Sequence, residues 1–472
     1  MIKTFSVFTI LLISSMSFAQ APDTLWTKIF NNEAWDEVHR VIQTPDNGYI
    51  GAGCSGAQIP ENRLWVIKTD QNGDLQWELY HGDSLNPKTG VSVLMTSDGG
   101  YLVTGETFYP GTWWSDITLF KLDSDGSIEQ EVCFDIGPMD YVRASEQTSD
   151  GGYILAGGTA GTNLDSFLLK IDSEYNTEWT TTTGGNQDEQ FYSVQQTSDG
   201  GYIAAGYTRS FGSGSSDHYM VKFDSLGNVE WEEFFGGTGF DMACAARQTQ
   251  DGGYIIVGFM QQVSSTKDLY VVKTDCDGNT EWDLILDRSD FDNAISFLET
   301  SDGSYILTGV TSKDLWLLKL DNTGSVLWET AIGLPNPNES GRSIQQTVDG
   351  GYIVAGSRNT SAGQLDFWLV KFGPELGISQ APQAFIDVQI SAVLPNPFTS
   401  SLQINCFLPS SGHMNLSVYD FAGRLVEHLE SSDVYSGKHT FLWDPDPLLP
   451  SGCYMVVLDA LGKQDVTWCI KI

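Results

Sequence analysis

The sequence predicts an all-β protein: a seven-bladed β-propeller whose N-terminal strand closes the last blade, followed by a small C-terminal β-sandwich. Three observations favour this fold. A unit of about fifty residues recurs seven times, each unit divides into four strand-like stretches, and the two ends of the array are complementary. The clearest marker is a tyrosine directly after a turn, at Tyr49, Tyr101, Tyr153, Tyr202, Tyr254, Tyr305 and Tyr352.

Residues 1–19 predict a signal peptide. Lys3 precedes a short apolar run that ends at Ile13, and Ser17 and Ala19 supply the small residues of a cleavage site. The run is too short to span a bilayer, and no later stretch reaches about eighteen uninterrupted apolar residues. We therefore expect an exported chain that is secreted or held at the cell surface, without a transmembrane segment in its mature form.

Each repeat is predicted to form four strands, labelled a to d. In the fourth unit, strand a (193–197) and the strand that starts at Tyr202 flank an Asp-Gly turn, which is a strong hairpin signal. Strand c follows at 217–224, and strand d contains Trp231. No stretch of the array has helical periodicity, so the repeat is typical of a propeller blade.

The ends of the array predict ring closure. The seventh unit stops after strand c at 367–372, whereas residues 25–30 match strand d and precede the first strand a. The N-terminal strand would therefore complete the last blade and leave no open edge. A linear solenoid is the alternative, but it does not require complementary ends. The predicted propeller spans 25–373, and the Pro- and Gly-containing stretch 374–390 is interpreted as a linker.

The turns between strands c and d carry a second repeated pattern. The segment 319–328 resembles the tryptophan-docking repeat of quinoprotein propellers, and more loosely the Asp-box of sialidase-like propellers. In both families the repeat packs the scaffold, so the resemblance bears on fold and not on catalysis. The turns that begin at Asp70, Asp123 and Asp275 also look like the start of a calcium loop, but they lack the distal glutamate of an EF-hand and are interpreted as Asx turns. The sequence identifies no cofactor, and calcium is possible but unsupported.

Residues 391–472 alternate short strands and turns, which suits a small β-sandwich. This stretch resembles the type A C-terminal sorting domain of the type IX secretion system of Bacteroidota. The resemblance rests on motifs that occur in order, namely Pro395-Asn396-Pro397-Phe398, Tyr419-Asp420 with Gly423-Arg424, Trp443-Asp444, and Pro450-Ser451-Gly452 before Tyr454. It implies type IX machinery as a partner, passage across the outer membrane, and removal of the domain. A sandwich without address function is the alternative.

Composition excludes some functions. Lys and Arg total 24 against 61 Asp and Glu, and the net charge of −37 argues against nucleic acid as a partner. Such an excess is more often a solubility trait than a cation site. The seven cysteines show no CxxC spacing, which leaves a structural zinc site unsupported. In the expected last hairpin, Cys453 and Cys469 fall nearly opposite each other, so we predict that a disulfide can form between them.

Loops b–c and d–a lie together on one face of a propeller, around the channel mouth, and their variability makes this the candidate functional face. Acids recur there in six of seven units, and Lys88 is the exception: Asp36, Asp140, Glu189, Asp241, Asp292 and Glu339. A second set stands before strand c, with Arg63 as its exception: Asp116, Asp165, Asp217, Asp268, Asp314 and Asp366. The first set predicts a ring of carboxylates at the mouth. The alternative is that each acid caps a turn or bonds to the neighbouring blade.

Aromatic residues break the symmetry of the same face. Tyr109, Trp113 and Trp114 belong to the second b–c loop, and Trp35 and Phe211 lie in other loops. Exposed aromatic side chains suit stacking on sugar rings or contact with a protein partner. The alternative is that Trp113 and Trp114 pack over the blade edge.

Catalytic motifs are absent from the sequence. The propeller histidines, His39, His81 and His218, lie in separate units, and no HExxH, GxSxG or phosphate-binding glycine loop occurs. The sequence thus favours a non-catalytic module that recognises a glycan or protein. Two alternatives stay open: a polysaccharide-active hydrolase or lyase that uses loop carboxylates, and a structural adhesion component.

Overall fold

The computed structural model resolves two compact units, residues 1–376 and 377–472. It describes residues 21–31, 35–56, 62–109, 111–112, 114–261, 266–333, 338–359, 364–375, 388–394, 398–408, 412–421, 423–434, 437–446, 448–461 and 463–472. The predicted signal peptide, Trp113, residues 376–387 of the predicted linker, and Pro395 to Pro397 lie outside them. Within the described chain, no helix is long and apolar enough to span a membrane.

The first unit consists of seven four-stranded antiparallel sheets, which confirms the seven blades. Strand β1 (Thr24–Phe30) comes first in the chain. Blades one to three contain β2–β5 (Asp36–Gln43, Tyr49–Ser55, Arg63–Thr69, Leu75–His81), β6–β9 (Lys88–Met95, Tyr101–Phe108, Ser115–Leu122, Ile128–Phe134) and β10–β13 (Met139–Gln147, Tyr153–Ala160, Leu164–Ile171, Thr177–Thr183).

Blades four to six contain β14–β17 (Glu189–Gln196, Tyr202–Thr208, Asp217–Phe223, Val229–Phe235), β18–β21 (Met242–Gln248, Tyr254–Gln261, Lys267–Thr274, Thr280–Leu286) and β22–β25 (Asp292–Glu299, Tyr305–Thr311, Asp314–Leu320, Val326–Ile332). Blade seven contains β26–β28 (Glu339–Gln346, Tyr352–Asn359, Leu365–Phe372). The first strands of the seven blades contact one another around a closed ring.

The N-terminal strand closes this ring, as the sequence predicted. Strand β1 pairs antiparallel with β28, with Phe30 opposite Phe367 and Thr27 opposite Val370. It supplies the fourth strand of the seventh blade, so the sheet order is β1-β28-β27-β26. No described blade is left with three strands.

A buried lysine fixes the turn of each blade. In the third blade, Lys170 Nζ lies 2.9 Å from the Asp150 carboxylate and 2.7 Å from that of Glu178. Asp150 in turn accepts hydrogen bonds from Thr148 and from the Gly152 amide. The other blades repeat the lysine–aspartate pair: Lys68 with Asp46, Lys121 with Asp98, Lys222 with Asp199, Lys273 with Asp251, Lys319 with Asp302 and Lys371 with Asp349. The repeated Asp of the turn and Lys of strand c are therefore packing requirements.

The repeated tryptophan joins neighbouring blades. Trp77 of the first blade lies against Gly126 in the c–d turn of the second and packs on Tyr101, with ring centroids 6.0 Å apart. Four further junctions use the same contacts: Trp26 with Gly73 and Tyr49, Trp179 with Gly227 and Tyr202, Trp231 with Gly278 and Tyr254, and Trp282 with Gly324 and Tyr305. Gln130 replaces the tryptophan at one junction, where Tyr175 takes the place of the glycine and stacks on Tyr153.

The c–d turns have the expected Asx geometry. Asp123 Oδ1 accepts hydrogen bonds from the amides of Asp125 and Ser127 at 3.0 and 2.8 Å. Asp70 and Asp275 accept equivalent pairs of amide bonds. The aspartates of these turns are therefore accounted for as turn-forming residues.

The second unit contains two sheets around one core. Strands β29 (Gln389–Leu394), β30 (Leu402–Leu408) and β33 (Gly437–Trp443) form one sheet, and β31 (Gly412–Asp420), β32 (Leu425–Val434), β34 (Gly452–Ala460) and β35 (Lys463–Lys471) form the other. Ile404 and Trp443 of the first sheet share the core with Leu416 and Val456 of the second. This arrangement agrees with the predicted small sandwich.

The predicted disulfide between Cys453 and Cys469 is wrong. In the register of β34 and β35, Cys453 pairs with Ile470, and Tyr454 pairs with Cys469. An offset of one residue sends the two thiols to opposite faces of the sheet. Cys453 is exposed, Cys469 is buried, and both are free thiols.

Candidate functional site

A β-bulge in the first strand of each blade builds the site. In β2 the ladder pairs Val38 with Gly53 and Arg40 with Ala52, which leaves His39 as an extra residue. The first strand of every other blade shifts at the equivalent position. Bulges redirect side chains. The seven bulged residues all line one cavity: His39, Val91, Arg143, Tyr192, Cys244, Ile295 and Arg342.

This cavity, the mouth cavity, has a volume of about 800 Å³ and is open on the loop face. Trp35 before β2, Asn62 before β4 and Phe108 at the end of β7 also line it. Six different residue types occupy the seven bulge positions, so the walls are asymmetric although the scaffold repeats. Sequence reasoning missed this set. The sequence feature that could have identified this set is the position three residues after the repeated acid. The residues at that position differ in charge and polarity from blade to blade.

One ion pair in the wall of the mouth cavity joins the last blade to the first. Arg342 Nη2 lies 3.1 Å from Glu37 Oε2, and Trp35 Nε1 donates to Glu37 Oε1 at 2.8 Å. Burial acts to raise the pKa of Glu37, but Arg342, His39 and Trp35 outweigh it and hold that pKa below its usual value. Glu37 is therefore an ionised, oriented hydrogen-bond acceptor.

A second ion pair of the mouth cavity joins the third blade to the second. Arg143 Nη1 is 3.2 Å from Glu106 Oε1, and its guanidinium stands over the rings of Tyr141 and Tyr192 at 5.1 and 5.9 Å. Burial raises the pKa of Glu106 although Arg143 opposes this shift. The two carboxyl groups of the mouth cavity thus have pKa values displaced in opposite directions.

The remaining titratable groups of the cavity stay neutral at physiological pH. Burial and the Arg342 charge lower the pKa of His39 to about 4. Burial raises the pKa of Cys54 to about 12 and that of Cys244 to about 11. Neither thiol is therefore activated as a thiolate nucleophile.

The predicted aromatic residues divide into two groups. Trp35 is 40% exposed and lines the mouth cavity. Tyr109, Trp114 and Phe211 are also exposed on loops, but they are not among the described residues that line it. Trp114 is 59% exposed, so it does not pack over the blade edge. Trp113 lies outside the described residues.

The predicted ring of carboxylates is not formed at the mouth, because all six acids of the first set are buried. Asp140 accepts hydrogen bonds from the Ile136 and Gly137 amides of the preceding loop. Glu189 and Asp292 accept equivalent loop amides. Asp241 accepts the Gly237 amide in the same way, so in these four blades the repeated acid caps the d–a loop of its own blade, which was the alternative interpretation.

The two acidic sets meet at the blade junctions. Asp217 of strand c and Asp241 of the next strand a both lie beside Gly236, and Asp165 and Glu189 both lie beside Gly184. Both exceptions, Arg63 and Lys88, fall at the junction of blades one and two. At two junctions three carboxylates lie within 4.8 Å of one another: Asp116, Asp135 and Asp140, and Asp268, Asp287 and Asp292. Calcium takes six to eight oxygen ligands, so three neighbouring carboxylates do not by themselves assign a calcium site.

The strand pairing defines the class of protein, a seven-bladed β-propeller joined to a small two-sheet domain. No family model matches the chain, and no curated protein matches it. The chain is similar to Sqt1 from Chaetomium thermophilum, with a TM-score of 0.46 and 11% identity over 75% of this chain and 99% of that one. It is also similar to the β-propeller domain of the Trilobed protease from Pyrococcus furiosus, with a TM-score of 0.40 and 10% identity over 72% and 97%. Similarity at this level carries no argument about function.

Proposed function

We propose that this protein is an exported recognition module, without catalytic activity, that binds a glycan or protein ligand in the mouth cavity. The observation that carries the proposal is the asymmetric lining of that cavity on a symmetric scaffold. A volume of about 800 Å³ is within the range of ligand-binding pockets. Residues that serve only the scaffold repeat from blade to blade, whereas these do not.

The chemistry of the lining suits a sugar. Trp35 and Phe108 offer aromatic surface for the apolar face of a pyranose ring. Glu37 and Arg342 are held in place by their ion pair, and Asn62 lies in the same wall, so donors and acceptors for hydroxyl groups are fixed before binding. A polar protein side chain could use the same groups, which is why both ligand classes belong to the proposal.

The test is a panel of polysaccharides and glycans against the mature full chain, read as retained protein and as newly formed reducing ends. We expect retention without product, weakened at least tenfold by Trp35→Ala or Arg342→Ala. Trp114→Ala reports on the exposed loop outside the cavity, and Arg288→Ala, on a surface ion pair with Glu329, is the control for folding and charge. Ligand retention that is unchanged in both cavity variants would contradict the proposed site. Silence across the glycan panel, followed by specific capture of a protein ligand, selects the protein alternative.

A glycoside hydrolase is the second candidate, because one observation favours it. Glu37 and Glu106 line one cavity, and the pKa of Glu37 is lowered while that of Glu106 is raised. Divergent carboxyl pKa values are typical of an acid and base pair. Reducing ends that appear with the wild type and vanish in Glu106→Gln, with folding retained, would establish this candidate and overturn the non-catalytic one.

We also propose that residues 391–472 direct the chain through type IX secretion to the cell surface or the medium. The order of the sequence motifs supports this. Phe398, Trp443 and Tyr454 of those motifs pack together in the core of the second unit, with centroids 5.4 and 5.8 Å apart. The full chain should reach the surface of a Bacteroidota host and lose its last eighty or so residues, whereas deletion of 391–472 should retain it in the periplasm. Equal export of both forms would contradict the proposal.

A further inference from the structure

The central channel continues below the mouth cavity into a second cavity of about 550 Å³, the channel cavity. The two share His39, Arg143, Tyr192 and Arg342 in their walls. Four arginines line the channel cavity, from nine in the whole chain: Arg40, Arg143, Arg247 and Arg342. In a chain with a net charge of −37, this concentration of guanidinium groups marks the channel as electrostatically distinct from the exterior.

Two of these arginines have a carboxylate of their own. Arg342 pairs with Glu37, and Arg143 pairs with Glu106. The other two arginines of the cavity are Arg40 and Arg247. The net charge of the channel cavity therefore depends on the charged partners of these two residues.

The Glu146 carboxylate interacts electrostatically with both Arg40 and Arg247, but only Arg247 lies within ion-pair distance of it. Arg247 Nη1 lies 4.0 Å from Glu146 Oε2, and Arg40 Nη1 donates to the carbonyl of Ser145 at 3.3 Å. Arg40 makes no ion pair within 4.0 Å among the described residues. The two guanidinium groups and one carboxylate therefore leave a surplus of one positive charge.

Glu299, the acid in the wall of the channel cavity, does not cancel that surplus. Glu299 accepts the Gln250 amide at 3.0 Å in the turn at the far end of the strands. The charges that act on it are those of Asp251 and Lys273, which belong to that turn. Burial lowers the pKa of Arg40 to about 10, and the neighbouring Arg247 charge acts in the same direction. The environment of Arg40 therefore opposes its charge, and a bound anion would relieve that cost.

We propose that Arg40 and Arg247 hold a small oxyanion, a carboxylate, sulfate or phosphate group, in the channel cavity. A planar guanidinium donates two parallel hydrogen bonds to such groups. This site goes beyond the proposed function and does not depend on the ligand of the mouth cavity. The acidic exterior repels polymeric anions, whereas a small ion can enter the channel.

The experiment titrates acetate, sulfate and phosphate into the full chain by calorimetry, in Tris chloride at constant ionic strength. We expect saturable binding with one site per chain for at least one of the three ions. Arg40→Gln and Arg247→Gln should each weaken that binding at least tenfold. Arg288→Gln is the matched control for Arg247→Gln, because the side chains of Arg247 and Arg288 are both 40% exposed and both ion-paired. Arg288 lies on the outer surface, so its variant should bind the ion as the wild type does.

A variant that is expected to bind the ion more tightly keeps the test valid even if the arginine variants fail to fold. Glu146→Gln removes the carboxylate that competes for both guanidinium groups, so it should bind the ion several-fold more tightly. A purely structural role for the arginines predicts no such gain. Absence of saturable binding in the wild type, or equal affinity in the wild type, Arg40→Gln and Glu146→Gln, would overturn the proposal.

Discussion

Trp77 lies against Gly126 of the next blade, and a Cβ atom added to that glycine would stand 2.7 Å from the indole ring. The tryptophan of strand d and the glycine of the c–d turn are about fifty residues apart in sequence but belong to one contact. The junction that lacks the tryptophan also lacks the glycine, with Gln130 and Tyr175 in their places. The repeat therefore records contacts between blades as well as turns within them.

The first prediction separates contact from backbone strain. Gly126 has φ +86° and meets Trp77, whereas Gly151 has φ +87° and nothing within 4 Å of an added Cβ. Gly151→Ala should cost about 1–2 kcal/mol for its left-handed conformation alone. Gly126→Ala should cost about 1–3 kcal/mol more because the indole ring must move. Urea unfolding of both variants measures the difference, and equal losses would show that the junction is not tightly packed.

The second prediction concerns acid unfolding. Burial acts to raise the pKa of Asp150, but Thr148, Lys170 and Gly152 outweigh it and lower that pKa to about 2. The folded value is below the unfolded value of about 3.9, so this stabilisation is complete above about pH 4 and is lost as pH falls towards 2. The equivalent aspartates of the other six turns are shifted in the same direction. Asp150→Asn should therefore flatten the dependence of unfolding free energy on pH between 4 and 2, and an unchanged slope would count against the pair.

The sequence predicted the scaffold well because each blade repeats the same local signals. The Asp-Gly turns and the Asx turns depend on residues that are adjacent in the sequence. The complementary ends are recognised by comparison with the other repeats. The mouth cavity was missed because His39, Arg143 and Arg342 face it only through a one-residue bulge, which alternation alone does not reveal. The prediction placed the repeated acids at the channel mouth because they are charged. The structure instead buries them beside the amides of the d–a loops.

The third prediction follows from the register of the last hairpin. Cys453 is exposed, whereas burial raises the pKa of Cys469 to about 11. Iodoacetamide at pH 8 should label Cys453 and leave Cys469 unmodified in the folded protein. Peptide mapping by mass spectrometry gives the answer, and a cross-linked peptide that contains both residues would show that the register is different.

The fourth prediction concerns the propeller histidines. Burial lowers the pKa of both His39 and His218 to about 4. Their neutral forms favour the folded state above the unfolded pKa of about 6.5, and this contribution is lost as pH falls towards 4. Imidazole nitrogen shifts recorded by NMR from pH 7 to 5 should stay those of neutral rings. A titration midpoint near 6.5 for His39 would mean that the mouth cavity is more hydrated than its burial indicates.

The central claim is that the ligand occupies the mouth cavity at the end of the central channel. A crystal structure of the mature chain with the best-retained glycan or protein fragment tests this most directly. We expect ligand density between Trp35, Arg143 and Arg342, with hydrogen bonds to the Glu37 and Arg342 pair. Density confined to the Trp114 loop or to the second unit, with an empty mouth cavity, would contradict it.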